Sequence, residues 1–178
     1  MRSSSKRGRS RRRRATGYFT RKLIILAVSA LVMGLGFFFA KGKVIRVSDG
    51  DTVTVLTGEG LTKVRLYGID CPESAQKGGD EATALAGDLM FLQHVSLSVM
   101  DKDQYGRNVA VVKLPDGRLA NEELVRQGHA WVYRSYCNQP ICARWLALER
   151  QAKKQGLGLW RHKNPVPPWQ WRRANPRR

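Results

Sequence analysis

Acidic residues are absent from both ends of this sequence. Residues 1–43 contain 12 lysines and arginines and residues 161–178 contain 6, with no aspartate or glutamate in either segment. All 14 acidic residues therefore lie between residues 44 and 160, where the remaining 14 basic residues balance them. The formal charge of +18 belongs to the two ends, so net charge gives no argument that the middle of the chain binds a polyanion.

Cysteine and histidine are scarce as well. The chain has three cysteines and no C-x-x-C pair, and its three histidines, His94, His129 and His162, are widely scattered. This pattern argues against a zinc site, which usually draws on closely spaced pairs of these residues. We interpret the histidines as structural or surface residues.

One uncharged apolar run of 18 residues, residues 23–40, is just long enough to cross a bilayer core as a helix. We interpret it as a transmembrane signal anchor, because its exit through three phenylalanines lacks the small residues of a cleavage site. Basic residues crowd residues 1–22, which predicts a cytoplasmic tail, a single pass through the inner membrane and a domain outside the cytoplasm. Secretion after cleavage is the alternative.

Cys137 and Cys142 enclose a short turn that contains Pro140. In an exported domain, this spacing favours a disulfide bond between the two cysteines.

The region after the apolar run alternates apolar and polar residues in the manner of short strands. Strands are predicted at residues 44–49, 51–56, 62–70, 95–99 and 108–114. Helices are predicted at residues 79–92, with a core face of Ala82, Leu85, Leu89 and Leu92, at 121–127, capped by Asn121, and at 141–154, with Ile141, Trp145 and Leu148 buried.

These elements predict an α+β domain over residues 44–162, a closed five-stranded β-barrel of the oligonucleotide-binding (OB) type with three helices. The transmembrane helix precedes it. Residues 163–178 are rich in proline, arginine and tryptophan, and we expect an extended strap there.

Three short segments concentrate charge where a core strand would not place it: DGDT at 49–52, RLYGIDCPE at 65–73 and DKDQYGR at 101–107. Each alone is an ordinary turn or ion pair. Together they indicate a metal and phosphate site, since carboxylates are hard ligands for calcium or magnesium and an arginine fork binds phosphate oxygens bidentately. The candidate ligands are Asp51 and Asp70. Gly68 predicts a bend that lets Arg65 and Asp70 face one cleft.

The order DGDT, RLYGIDCPE, DQYGR, ANEELVRQGHAWVY and GLGLW resembles the staphylococcal nuclease (thermonuclease) family over residues 44–160. That resemblance implies a calcium-dependent nuclease on an OB barrel that cleaves DNA and RNA to products with 3′-phosphates. By motif, one Ca²⁺ would be held by Asp51, Asp70 and the backbone carbonyl of Cys71, where the family usually has threonine. Glu73 would be the general base, Arg65 and Arg107 would bind phosphate, and Tyr133 or Tyr136 would stack on a base.

The implied partners are nucleic acid, DNA or RNA, and the membrane, with the nuclease domain monomeric. A catalytically inactive, membrane-tethered nucleic-acid-binding module is the main alternative. It is disfavoured because a module without catalysis has no reason to keep the full set of charged residues, which is Asp51, Arg65, Asp70, Glu73 and Arg107. A third hypothesis makes the arginine-rich ends the functional part, as a tether for nucleic acid or lipid.

Overall fold

The computed structural model describes residues 39–176, and its centre is a closed five-stranded barrel. The barrel strands are β1 (Phe39–Asp49), β2 (Thr52–Thr57), β3 (Gly60–Leu66), β5 (His94–Lys102) and β6 (Asn108–Lys113), arranged around the barrel in the order β1-β2-β3-β6-β5. Two short strands, β4 (Ile69–Asp70) and β7 (Trp131–Val132), pair antiparallel beside it. The prediction of a closed five-stranded barrel is confirmed.

Closure depends on the length of β1. Its first half pairs with β5, from Phe39 opposite Ser98 onwards, and its second half pairs with β2. Two irregularities in the β1–β2 register bend the strand between these partners, as bulges commonly do at barrel corners. β3 and β6 pair in parallel, which completes the ring. The interior is filled mainly by the inward residues of the strands, among them Val53, Val55, Val64, Leu97 and Val112.

Within residues 39–176, four α-helices accompany the barrel: α1 (Gly79–Met90), α2 (Ala120–Arg126), α3 (Ile141–Gln155) and α4 (Pro168–Ala174). A 3₁₀ turn covers Gly158–Arg161. Three of the α-helices, α1 to α3, lie within residues 44–162, where three helices were predicted. The prediction for the tail is wrong, because α4 lies in the segment that we expected to be extended. Pro167 and Pro168 precede and begin α4, and proline at the first helical position has a backbone already suited to the helix.

The buried stripe of α1 differs from the predicted one. Ala82, Ala86 and Met90 are fully buried, Leu85 and Leu89 are partly buried, and Leu92 lies beyond the helix and is 52% exposed. Two alanines allow the helix to pack closely, so the larger leucines flank the contact. In α3 Trp145 is fully buried as predicted, whereas Ile141 and Leu148 are only partly buried.

Asn121 does not cap α2, which begins one residue earlier with Leu119 at the cap position. Its side chain is fully buried and joins three backbone groups. The carbonyl oxygen accepts from Val112 N–H at 2.9 Å, and the amide donates to the carbonyls of Tyr67 at 3.0 Å and Ala110 at 3.3 Å. Asn121 thus links the barrel wall to α2 by satisfying buried backbone groups.

The predicted disulfide between Cys137 and Cys142 is present, with the two Cα atoms 5.7 Å apart. Phe39 and Ala40 belong to β1, so the last two residues assigned to the apolar run are barrel residues. The rest of the predicted anchor, residues 23–38, lies outside the described residues. None of the helices within residues 39–176 combines the length and apolar character that a membrane crossing requires.

Gly68 is the bend between β3 and β4. Its φ is +70°, a left-handed conformation that side chains rarely adopt. A Cβ at this position would lie 2.6 Å from Cys137 Sγ and 3.1 Å from the Trp145 ring. The disulfide bond holds that sulfur in place, so the neighbour has little room to move.

We expect Gly68→Ala to lower the free energy of unfolding by about 2 to 4 kcal/mol, because it combines left-handed strain with a clash in the core. Urea denaturation followed by tryptophan fluorescence measures the change. Gly58→Ala is the matched control, since Gly58 lies in the β2–β3 turn with no atom within 4 Å of an added Cβ. Equal stability of the two variants would contradict this account of the bend.

Candidate active site

Two buried carboxylates and one arginine form the centre of the site. Asp51 lies in the β1–β2 turn and is 1% exposed, and Asp70 ends β4 and is fully buried. Arg65 lies on β3, and its two terminal guanidinium nitrogens donate hydrogen bonds, one to Asp51 Oδ1 and the other to Asp70 Oδ1. The bend at Gly68 thus brings Arg65 and Asp70 to the same cleft, as predicted.

The backbone around Asp51 fixes this carboxylate in place. Its Oδ2 accepts from Cys71 N–H at 2.7 Å, and its Oδ1 accepts from the Thr52 hydroxyl at 3.2 Å. Its own N–H donates to Asp49 Oδ1 at 3.0 Å. The DGDT turn and the segment after β4 are therefore tied together through one side chain.

Burial strongly affects the ionisation of this cluster. Removal from water raises the pKa of Asp51 from 3.8 to about 7, although Arg65 acts in the opposite direction. Burial also raises the pKa of the Cys71 thiol well above its usual range. The Cys71 side chain lies beside Gly50 and is buried, so this thiol is neutral.

Arg107 lies at the same end of the barrel. It immediately precedes β6, whose parallel pairing with β3 places Val109 opposite Arg65. Arg107 Nε donates to Asp103 Oδ2 at 2.7 Å, and a terminal nitrogen lies 3.4 Å from the Thr52 hydroxyl. Asp103 thus orients the guanidinium, and sequence reasoning did not single out this aspartate.

Glu73 is partly open to solvent, with its side chain 25% exposed. Its backbone N–H donates to the Gln76 side chain at 3.3 Å. Its Oε1 accepts from Arg172 at 2.9 Å. Of the residues in the site, Glu73 is the carboxylate that solvent reaches most readily, since Asp51 and Asp70 are buried.

Arg172 is the main residue that sequence reasoning missed. From α4 it donates to Asp70 Oδ2 at 2.8 Å, to Asp70 Oδ1 at 3.1 Å and to Glu73. The sequence pattern that indicates this helix is the proline pair followed by Trp169 and Arg172, which are three residues apart and so lie on one helix face. The composition of the tail obscured this pattern.

An aromatic group lies beside the carboxylates. Tyr133 stacks on Trp169, with ring centroids 5.0 Å apart and planes 6° from parallel. Tyr136 is 64% exposed and tilts against Tyr133 at 4.7 Å. Trp131, which the sequence did not single out, contacts Trp160 and Trp169. An open cleft of about 430 Å³ is lined by three of these rings, Trp131, Tyr133 and Trp169, together with Arg134, Lys153 and Arg173.

The donor set fits a hard cation in part. Asp51 and Asp70 present buried carboxylate oxygens, which are ligands that calcium and magnesium prefer. In the part of the chain that the structure describes, no group of three histidine, cysteine, aspartate or glutamate side chains could hold a metal ion. Arg65 and Arg172 now neutralise the two carboxylates that a cation would bind.

Comparison with known proteins identifies relatives over most of the chain. Residues 63–162 match the family model described as "Staphylococcal nuclease homologue". An "Uncharacterized endonuclease" of Escherichia coli O157:H7 is 39% identical over 131 residues, covering 74% of this chain and 84% of that protein. A "Micrococcal nuclease" of Shigella flexneri is 40% identical over 143 residues, covering 76% and 82%. An "Uncharacterized endonuclease" of Haemophilus influenzae is 42% identical over 132 residues, covering 74% and 72%.

The raised pKa of Asp51 makes stability depend on pH. Between pH 3.8 and about 7, Asp51 holds a proton in the folded protein that it has lost in the unfolded chain. The stability that comes from binding this proton is therefore present at low pH and is lost as the pH rises through 7. Without divalent cations, we expect Asp51→Asn to be more stable than the parent protein by about 2 kcal/mol above pH ~8 and similar to it near pH ~4. Urea unfolding at the two pH values tests this.

Asp88→Asn, on the exposed side of α1, is the control, because it makes the same chemical change at a position that is not buried. A constant difference between Asp51→Asn and the parent protein at both pH values would contradict the assigned cause.

Proposed function

The chain belongs to the staphylococcal nuclease family, and from that premise we propose that it is a calcium-dependent phosphodiesterase that hydrolyses DNA or RNA to products with 3′-phosphates. The observation that carries the proposal is the pair of buried carboxylates, Asp51 and Asp70, with Arg65 between them. A site of this kind holds negative charge where water cannot stabilise it, and it therefore favours cation binding.

Asp51, Asp70 and the backbone carbonyl of Cys71 would hold one Ca²⁺. When bound, the cation would supply positive charge for a phosphate oxygen and for the attacking water. The protein positions the carboxylates before binding, since Asp51 is already fixed by hydrogen bonds from Cys71 N–H and the Thr52 hydroxyl. Preorganised groups of this kind need little rearrangement during the reaction.

Glu73 is the proposed general base. Its carboxylate is the solvent-accessible one of the three, so a water molecule can reach it and transfer a proton to it. Its current partner is Arg172, an interaction that must weaken before the carboxylate can accept that proton.

Arg65 and Arg107 are the proposed phosphate-binding residues. Asp103 holds Arg107 through Nε, and one terminal nitrogen lies 3.4 Å from the Thr52 hydroxyl, next to Asp51 in the chain. A planar fork with two donors matches two phosphate oxygens and stabilises the charge that develops on them. Lysine would keep the charge but lose this geometry.

The aromatic cleft supports a single-stranded substrate. Stacking on Tyr133 or the more exposed Tyr136 tolerates any base, because every base presents a π face. Both DNA and RNA fit this kind of recognition. Trp131 extends the aromatic surface, and Lys153 and Arg134 add positive charge for the backbone.

A catalytically inactive nucleic-acid-binding module is the alternative function. Buried carboxylates repel a polyanion, so a module that only bound nucleic acid would gain nothing from Asp51 and Asp70 at the position where phosphate is expected. The same two residues are what a metal-dependent hydrolase requires. The geometry therefore supports the enzyme.

Export through residues 23–40 is part of the proposal, with secretion after cleavage as its alternative. The disulfide Cys137–Cys142 supports an oxidising compartment, because such bonds persist mainly outside the cytoplasm. Under anchoring, residues 1–22 stay in the cytoplasm and a monomeric nuclease domain lies outside.

Protease added to spheroplasts that produce the full chain should digest the nuclease domain and leave residues 1–22 protected. A tag placed before Met1 and a second tag after Arg178 report the two ends in one immunoblot. Release of the nuclease domain into the medium would support cleavage, and protection of both tags would contradict export.

Cleavage of single-stranded DNA by the full chain tests the enzyme assignment directly. We expect cutting with Ca²⁺, none with chelator, and products that a 3′-phosphatase can dephosphorylate. Binding without cutting in Ca²⁺ and in Mg²⁺ would favour the binding module instead.

Two substitutions separate the proposed roles. Glu73→Gln should lower kcat by about 100-fold or more, because the amide cannot accept the proton from water. Glu59→Gln, in the exposed β2–β3 turn, is its control. Arg107→Lys should also lose most activity, since the fork is lost while the charge is kept. Full activity of Arg107→Lys would show that charge alone suffices.

A further inference from the structure

We propose that α4 is an intramolecular plug, in which Arg172 competes with the cation for Asp70 while Trp169 covers the stacking face of Tyr133. The inference rests on the proposed function, and it adds a regulation that the proposed function does not contain. Helix α4 and its arginine lie beyond residues 63–162, the part of the chain that matches the family model.

The contact of Arg172 with the carboxylates is specific. Both of its terminal nitrogens donate to Asp70, one to each oxygen, and one of them also donates to Glu73. Asp70 Oδ1 accepts from Arg65 as well. A carboxylate oxygen offers two lone pairs, so these arginines occupy most of the sites through which Asp70 could bind a cation. A cation at Asp70 must therefore displace Arg172.

Trp169 makes a second contact from the same helix. Its ring stacks on the Tyr133 ring, with the two planes 6° from parallel and the centroids 5.0 Å apart. A nucleobase stacked on that face of Tyr133 would occupy the same space. One turn of α4 thus places the Trp169 ring on Tyr133 and the Arg172 guanidinium on the carboxylates. A nucleobase would use the first of these surfaces, and the metal ion would use the second.

Apart from the contacts of Trp169 and Arg172, two contacts within the described residues attach the segment that carries α4. Gln76 donates to the carbonyl of Val166 at 2.6 Å, and Pro168 is buried. Helix α4 itself has seven residues, well below the length at which an isolated helix is stable in water. When its contacts are lost, we therefore expect α4 to unfold locally while the barrel remains intact.

Solvent reaches the arginine, whose side chain is 37% exposed. With competition of this kind, the apparent cation affinity equals the affinity of the open state multiplied by the fraction of molecules in which the plug is open. Cation and nucleic acid would then favour the open state together, since each removes contacts that hold the same helix.

Three full chains in mild detergent test the plug: the parent protein, Arg172→Ala and Arg173→Ala. Arg173 is the matched control, because it is the next residue of α4 and forms no ion pair with the described residues. The Arg173→Ala substitution removes the same charge as Arg172→Ala. Calorimetric titration with Ca²⁺ alone should show about tenfold tighter binding by Arg172→Ala than by the other two chains.

Hydrogen exchange provides a second measurement that does not depend on activity. In the parent protein, saturating Ca²⁺ should speed the exchange of backbone amides in residues 169–174, and Arg172→Ala should already show fast exchange without Ca²⁺. Arg173→Ala should resemble the parent protein.

Equal Ca²⁺ affinity of Arg172→Ala and the parent protein would overturn the plug and leave the proposed function intact. Lower affinity in Arg172→Ala would also overturn it. Loss of cutting at unchanged Ca²⁺ affinity would assign Arg172 to substrate binding instead. Absence of Ca²⁺ binding in all three chains would overturn both the plug and the calcium site.

Discussion

The pairing of Arg65 with two buried aspartates is the interaction on which the rest of this structure depends. Asp51 and Asp70 are removed from water, and each would be strongly destabilising there without a positive partner. Satisfying both from one guanidinium requires β1, β3 and β4 to meet at one point. The bend at Gly68 and the tie from Cys71 N–H to Asp51 serve this requirement.

Arg65 does not fully compensate the burial, and the remaining imbalance gives the site its chemical character. Because the pKa of Asp51 is raised to about 7, a second cation beside the aspartates is favourable near neutral pH. In the structure, Arg172 provides positive charge at Asp70. A metal ion would provide more charge in a smaller volume. Docking of α4 and the expected binding of metal thus have the same effect, which is to place positive charge beside buried carboxylates.

Sequence reasoning was strongest where local pattern and tertiary structure agree. Alternation in the strands predicted the barrel, and the charged segments predicted that Asp51, Arg65 and Asp70 converge, because each lies next to a turn. Reasoning failed where a side chain acts at a distance: Asn121 looked like a helix cap but bonds Tyr67, 54 positions earlier in the chain. Arg172 meets Asp70 across 102 positions, and no local pattern contains that information.

The tail illustrates why composition misled. Proline and arginine normally indicate an extended solvated segment, and α4 is too short to be stable alone. Its helical form depends on Trp169 reaching Tyr133 and Arg172 reaching Asp70. A segment whose structure exists only while it is docked is sensitive to any ligand that takes those contacts. The feature that hid α4 from the sequence is therefore the one that suits it to reversible closure.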